Sequence, residues 1–306
     1  MKVGIFGRTG RLLDAARLAL AEGHDLAFVW TCRTEDHYGV TEADFQQLAH
    51  DAGCPFFNTL KLSDHRDEVA TLGADICLSI NWINVVREDF RSLFPHGILN
   101  SHAGDLPRYR GNACANWAIL NFEERIGLTV HKMADELDGG DIVEKSYLPI
   151  DDTTYISDIY AWLDEETPRM LVLALKTLET HGATPQDPSV RPLRTFPRKP
   201  EDARIDWARP ARDIHALIRA SSHPFPGAYC YLNGEADKHL AIYRADIFSP
   251  DFDFSAVPGQ VCLPDGGMPL IAATDGLLRL TEFSLNGQDT DTSAKLVLKS
   301  LRNRLA

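Results

Sequence analysis

The sequence predicts an α/β protein: a mostly parallel sheet domain followed by a small β-rich C-terminal domain. Three observations carry this. Short apolar runs alternate with helical patterns over the first half of the chain, which implies right-handed βαβ units. Five prolines, at 185, 188, 192, 197 and 200, then interrupt the pattern. Beyond them, brief β-like runs are punctuated by turns. At 306 residues the chain suits about two domains. We set them at 1–184 and 201–306, with 185–200 as a proline-rich linker.

The elements follow in order. The apolar run 2–7 breaks at Arg8-Thr9-Gly10, and Leu12, Leu13, Ala16 and Leu20 then recur at helical spacing until Gly23. Residues 26–30 read as a second buried strand, 42–52 as a helix closed by Gly53, and 55–57 as an extended run. A helix over 64–72 leads to strands at 75–80 and 97–100. Two extended segments, 128–133 and 142–147, flank the turn Asp138-Gly139-Gly140-Asp141. A long helix over 155–181, bent before Pro168, closes this part. Past the prolines come one helix, 211–220, and short strands at 228–232, 240–243, 260–263, 270–273 and 277–283.

Composition narrows the function. Lys plus Arg number 31 against 44 Asp plus Glu, a formal net charge of −13. A protein that grips a phosphate backbone needs basic surface, so nucleic acid is not the expected partner. No 18-residue apolar stretch occurs and the first apolar run is too short for a signal-peptide core, so neither membrane nor export is expected. The six cysteines lack CxxC spacing; no metal is expected, and reduced thiols in the cytoplasm are the default.

An early glycine cluster on a parallel sheet invites a dinucleotide reading, which the residues refuse. The fingerprint GxGxxG needs glycine at 5, 7 and 10, and position 5 is Ile. Trp30-Thr31-Cys32-Arg33 stands where an acidic residue would bind a ribose hydroxyl, so NAD(P) is not expected. The denser signal lies between Asn100 and Asp141. Asn100 and His102 sit where a short strand ends, the edge at which open α/β sheets place ligands. Residues i and i+2 of a strand point to one side, so the amide and the imidazole project together. Asp138 in the glycine-rich turn can bring a carboxylate there. An amide donor, a titratable base and an orienting carboxylate are the parts needed for acyl transfer to an amine. Taken alone, the same residues also suit a structural histidine and an ordinary turn aspartate.

The set Asn100-x-His102, Leu106-Pro107-x-x-Arg110-Gly111, Asn116-Trp117-Ala118-Ile119, Gly127-Leu128-Thr129-Val130-His131-Lys132-Met133 and Leu137-Asp138-Gly139-Gly140-Asp141-Ile142 resembles the folate-dependent formyltransferases over nearly the whole chain. The resemblance implies a Rossmann-like sheet domain, an open barrel-like C-terminal domain and direct transfer from N10-formyltetrahydrofolate, with no metal and no covalent enzyme intermediate. It assigns the catalytic trio to Asn100, His102 and Asp138. On that reading an amine attacks the formyl carbon, and Asn100 donates to the oxyanion. His102 is favoured as the base, with Asp138 fixing its tautomer; the reverse division of those two stays open. The loop 80–86 would receive folate through Asn81, Trp82, Ile83 and Val85, joined by Asp141. Trp82 and Ile83 suit equally a loop packed under the sheet edge. Arg8, Arg108, Tyr109 and Arg110 are the residues assigned to the acceptor; arginine fits a diphosphate well, and Arg108 and Arg110 equally suit bracing of their own loop.

The segments 200–207, 218–220, 223–229 and 258–261 resemble a C-terminal pattern shared by methionyl-tRNA formyltransferase and the sugar-nucleotide N-formyltransferases. From 201 to 306 there are 11 Lys plus Arg against 14 Asp plus Glu, a net of −3. A tRNA-gripping domain should be basic. The expected acceptor is therefore a nucleotide-linked amino sugar, as in surface polysaccharide (lipopolysaccharide O-antigen) biosynthesis. Methionyl-tRNA formyltransferase is the alternative, and a non-catalytic folate-binding homologue is the alternative of another class. A homodimer is compatible with this reading.

Overall fold

The structure, a computed structural model, describes residues 1–35 and 38–306. Its secondary structure runs β1 (Lys2–Gly7), α1 (Gly10–Ala21), β2 (Asp25–Thr31), α2 (Glu42–Ala52), β3 (Phe56–Asn58), α3 (Arg66–Thr71), β4 (Ile76–Ile80), α4 (Glu88–Arg91) and β5 (Ile98–His102). There follow β6 (Tyr109–Gly111), α5 (Cys114–Leu120), β7 (Arg125–Lys132), β8 (Ile142–Pro149), α6 (Ile156–Thr180) and β9 (Leu193–Thr195). The chain ends with α7 (Ala211–Ser221), β10 (Ala228–Tyr231), β11 (His239–Phe248), β12 (Val261–Asp265), β13 (Met268–Ala272), β14 (Leu277–Leu285) and α8 (Thr290–Val297). Two compact units result. One comprises Met1–Cys114, Ile126–Leu148 and Tyr160–Phe196; the other comprises Ala115–Arg125, Pro149–Ile159 and Pro197–Ala306.

The first unit is built on a seven-stranded sheet in the order β3-β2-β1-β4-β5-β7-β8. Strands β3, β2, β1, β4 and β5 run parallel, and β7 runs antiparallel to β5. Near-continuous apolar strands such as Val3-Gly4-Ile5-Phe6 and Ala27-Phe28-Val29-Trp30 are buried, as strands with both faces covered require. Phe6, Phe28, Trp30, Phe57, Phe90 and Phe94 pack together in one aromatic cluster. Helix α1 turns Leu12, Leu13, Ala16 and Ala19 inward, the stripe expected from 3.6 residues per turn.

The second unit carries a five-stranded antiparallel sheet, β10-β11-β14-β13-β12. Helix α7 contributes Ile214 and Ile218 to its core, with Trp207, Phe283 and Leu280. The mostly parallel α/β reading and the β-rich C-terminal part therefore hold.

Three differences from the sequence reading stand beside one helix foreseen in full. The strand foreseen at 97–100 continues to His102, because pairing with β7 extends it. The helix foreseen at 64–72 divides into a 3-10 turn, Leu62–His65, and the shorter α3. Helix α6 keeps close to the extent foreseen and holds Pro168 in its interior; its buried Ile156, Ile159, Leu163, Met170, Leu171 and Leu175 outweigh the single lost N–H. Helix α8 was not foreseen, although Asp289 caps it through the Thr292 N–H, a signal written in the sequence.

Candidate active site

Strand β5 ends at the carboxyl edge of the parallel sheet and delivers Asn100 and His102 there. Its register against β7 sets Asn100 opposite His131 and His102 opposite Thr129. The Nδ2 of Asn100 lies 3.2 Å from Nε2 of His131. Asp138 arrives from the turn between β7 and β8, with φ 54°, a left-handed conformation that a short aspartate tolerates. Its carboxylate spans both histidines: Oδ2 is 3.8 Å from Nδ1 of His102, and Oδ1 is 3.7 Å from Nε2 of His131. The structure thus brings the three expected residues together and adds a fourth, His131.

The turn is held from two sides. The Gly111 N–H donates to Oδ2 of Asp138 at 2.8 Å. Gln186 donates to the carbonyls of Asp138 (2.7 Å) and Gly140 (2.8 Å) and accepts from Arg110 (2.7 Å). The other end of the Arg110 guanidinium pairs with Glu136 at 2.6 Å. Gly140 is required by close approach: a Cβ there would collide with the Lys132 carbonyl.

Hydrogen bonds fix the proton positions. A carbonyl only accepts, so His102, 2.7 Å from the Tyr109 carbonyl through Nε2, carries its hydrogen on that nitrogen and turns Nδ1 to Asp138. His131 is tied in the opposite sense. Its Nδ1–H donates to the Lys132 carbonyl (2.9 Å), so its bare Nε2 accepts from Asn100 and orients that amide.

The two imidazoles are pushed apart. For His102, burial favours the neutral form. The Cys114 sulfur, the Asp138 charge and the Tyr109 carbonyl outweigh burial, and together raise it from 6.5 to about 9. For His131, burial and then the positive charge of His102 lower it, so it stays neutral while His102 is charged. Neighbouring titratable groups driven in opposite directions are a mark of acid–base sites.

The remaining residues singled out in the sequence lie as follows. Arg8 is buried; its Nε donates to the Asn81 carbonyl (3.0 Å), and its guanidinium pairs with Glu35 (3.0 Å). Asn81 has φ 54°. Trp82 packs edge-on against Phe6 with ring centres 5.4 Å apart, whereas Ile83 and Val85 are 54% and 75% exposed. Arg108 is exposed, with its guanidinium 5.0 Å from the ring centre of buried Tyr109. Arg110 is buried and serves the Asp138 turn, and Asp141 is exposed. Among the described residues, no group of three or more His, Cys, Asp or Glu is placed to hold a metal, and no helix is long and apolar enough to cross a membrane.

Sequence reasoning missed His131, Gln186, Cys114 and Thr195. For His131 a signal existed: Thr129 and His131 are polar residues at alternate positions of an apolar strand, so both face the same side. Gln186 and Thr195 carry no local signal, because their roles arise from contacts with residues 48 and 85 positions away.

Comparison with known proteins places the chain by family and by fold. The formyl transferase family profile matches residues 42–175, and the profile for the formyl transferase C-terminal domain matches residues 198–299. Among solved structures, an N-formyltransferase from Helicobacter canadensis, in complex with folinic acid and dTDP-3-aminofucose, superposes with a TM-score of 0.68 at 15% identity, covering 93% of this chain and 100% of that one. HypX from Aquifex aeolicus, in complex with tetrahydrofolic acid, gives a TM-score of 0.62 at 18% identity over 92% of this chain; the match spans only 44% of HypX. A 4-N formyltransferase from Francisella tularensis gives 0.58 at 15% identity, covering 74% of this chain and 91% of that one. These structural likenesses concern the fold; the two family profiles, one in each half of the chain, carry the assignment. The chain belongs to the folate-dependent formyltransferase family.

Proposed function

We propose that this chain transfers the formyl group of N10-formyltetrahydrofolate to the amine of a nucleotide-linked amino sugar. The convergence of Asn100, His102 and Asp138 on one sheet edge carries this reading. N10-formyltetrahydrofolate, as co-substrate, supplies the activated formyl group. The loop after β4 suits a flat heteroaromatic ring, because Ile83 and Val85 expose apolar side chains beside the left-handed Asn81. Arg8 supports that loop from behind through the Asn81 carbonyl, and Asp141 offers a carboxylate nearby in sequence to the catalytic turn.

The chain's own groups divide the chemistry by protonation state. Asn100, oriented by His131, offers an N–H to the developing oxyanion. His102 is charged at neutral pH, so its Nδ1–H first hydrogen-bonds the oxyanion and is then transferred to the departing nitrogen. The proton shed by the attacking amine restores the imidazolium, and the residue starts and ends in one state. This refines the expectation of His102 as a base from the outset. Asp138 keeps the charge in place. Arg108, exposed beside Tyr109, is our choice for the acceptor's diphosphate, with Arg110 committed to the Asp138 turn.

The sugar acceptor is supported by the acidic chain and by the net of −3 over 201–306. The test is to supply N10-formyltetrahydrofolate with either dTDP-linked amino sugars or methionylated initiator tRNA and to follow release of tetrahydrofolate. Turnover with a sugar nucleotide and none with tRNA is expected. Turnover with tRNA alone would overturn the acceptor, and folate binding without turnover on any amine would make the chain a binding homologue.

A further inference from the structure

Behind His102, on the side away from Asp138, lies a buried polar chain that the reaction as described does not use. Cys114, the first residue of α5, is 4% exposed and Thr195 of β9 is 5% exposed. The Cys114 sulfur lies 3.6 Å from Nε2 of His102 and 3.2 Å from Oγ1 of Thr195. The Thr195 hydroxyl is 3.1 Å from the Arg110 carbonyl, which can only accept. Directions follow from that end. Thr195 donates to Arg110, so its oxygen accepts from the Cys114 S–H, and the sulfur lone pairs are left facing the Nε2–H of His102.

We propose that Cys114 and Thr195 are positioning residues for His102, acting from behind the ring to keep its hydrogen on Nε2 and its Nδ1 turned toward Asp138. Sulfur is a weak acceptor, yet here it joins the Tyr109 carbonyl around one N–H, and both contacts strengthen when the ring is charged. Thr195 sets the direction of the S–H. Without its hydroxyl, the thiol would turn to the Gly111 carbonyl, 3.6 Å away. The groups facing His102 are Asp138 from the β7–β8 turn, His131 from β7, the Tyr109 carbonyl from β6 and Cys114 from α5. Cys114 joins the ring to Thr195 of the segment 185–196, the same segment from which Gln186 reaches the Asp138 carbonyl.

The proposal rests on the formyl-transfer reading for its consequence in rate, and its test separates the two. The imidazole nitrogens of His102 are followed by NMR as pH is varied, in wild type, Cys114→Ala, Cys114→Ser, Thr195→Val and Thr195→Ser, without substrate. The same proteins are assayed with N10-formyltetrahydrofolate and a dTDP-linked amino sugar. In Cys114→Ala the His102 midpoint should fall by about half a unit to one unit, as for loss of one weak bond to a charged group. The alkaline limb of kcat/KM should move with it. Thr195→Val should shift both in the same direction by less, and Cys114→Ser and Thr195→Ser should restore most of each. An unmoved midpoint in folded Cys114→Ala, with wild-type turnover intact, overturns the positioning role. A shifted midpoint with no turnover in any protein, wild type included, instead overturns the formyl-transfer reading. If Cys114→Ala does not fold, Thr195→Val against Thr195→Ser decides on the same two readouts.

Discussion

The Tyr109 carbonyl sits 2.7 Å from Nε2 of His102 and thereby decides which nitrogen of that ring holds its hydrogen. With Nε2 occupied, only Nδ1 faces the carboxylate of Asp138, at 3.8 Å. Replacing His102 by Asn removes Nδ1, and replacing Asn100 by Ala removes the oxyanion donor. Each change should lower turnover by ~10²-fold or more, the usual loss on removing such groups. Folate affinity, measured by calorimetry, should stay within a few-fold, because the loop after β4 is untouched. Turnover near wild type in folded His102→Asn would remove this residue from the mechanism.

Asp138→Asn separates charge from turn geometry. Asparagine also tolerates the left-handed turn, and its Oδ1 can still accept the Gly111 N–H. The charge that helps hold His102 at about 9 is lost, so its midpoint falls and the alkaline limb of kcat/KM moves to lower pH. We expect at least ~30-fold lower turnover at neutral pH, in the lower part of the range for an acid–base contribution. Stability carries the same sign. His102 titrates higher in the folded chain than the ordinary 6.5, so its stabilisation is complete below pH 6.5 and is lost as pH rises through about 9. Urea melts across that window should show a shallower decline in Asp138→Asn.

Gly104 offers a purely steric test. An added Cβ would collide with Nε2 of His102 and crowd the Tyr109 carbonyl. Gly104→Ala should therefore displace the imidazole and cut kcat by ~10²-fold, since a shift of about 1 Å at a reacting group is that costly. Wild-type kcat in a folded Gly104→Ala protein would show that the ring position is not critical.

Electrostatics govern the choice of acceptor. With a net charge of −13, tRNA should bind weakly and with a shallow dependence on salt. Titration of initiator tRNA at two salt concentrations checks this. Micromolar or tighter affinity that falls steeply with salt would favour the tRNA acceptor instead.

The fold was largely written in local pattern. Runs such as Ile5-Phe6 and Phe28-Val29-Trp30 can only be buried strands, and the glycine-rich turn at Asp138 announced itself. Asn100 and His102 were legible through the two-residue period of a strand, and the motif set placed Asp138 beside them. What escaped is non-local. The antiparallel seating of β7 against β5 brings His131 to Asn100, and no spacing within either strand specifies that register. Strands β6 and β9 have three residues each, too few to show a period, and are defined only by pairing with each other. The role of Arg8 was equally hidden, since a guanidinium that supports the Asn81 carbonyl reads in sequence like one awaiting a phosphate.

The pairing of β6 with β9 gives the proposed active site an unexpected terminus. Leu193, Arg194 and Thr195 lie in register with Tyr109, Arg110 and Gly111, the stretch that supplies the carbonyl to His102 and the N–H to Asp138. Seven residues earlier than β9, Gln186 clasps the Asp138 turn. A chain cut after residue 184 would retain Asn100, His102 and Asp138 and lose both of these restraints. We expect it to bind folate yet turn over at least ~10²-fold more slowly, the size of loss that loosened reacting groups incur, with much of that rate returned when 185–196 is restored. For anyone exchanging C-terminal halves between relatives, the graft point that keeps these restraints lies after Phe196, so residues 185–196 travel with the strands they brace.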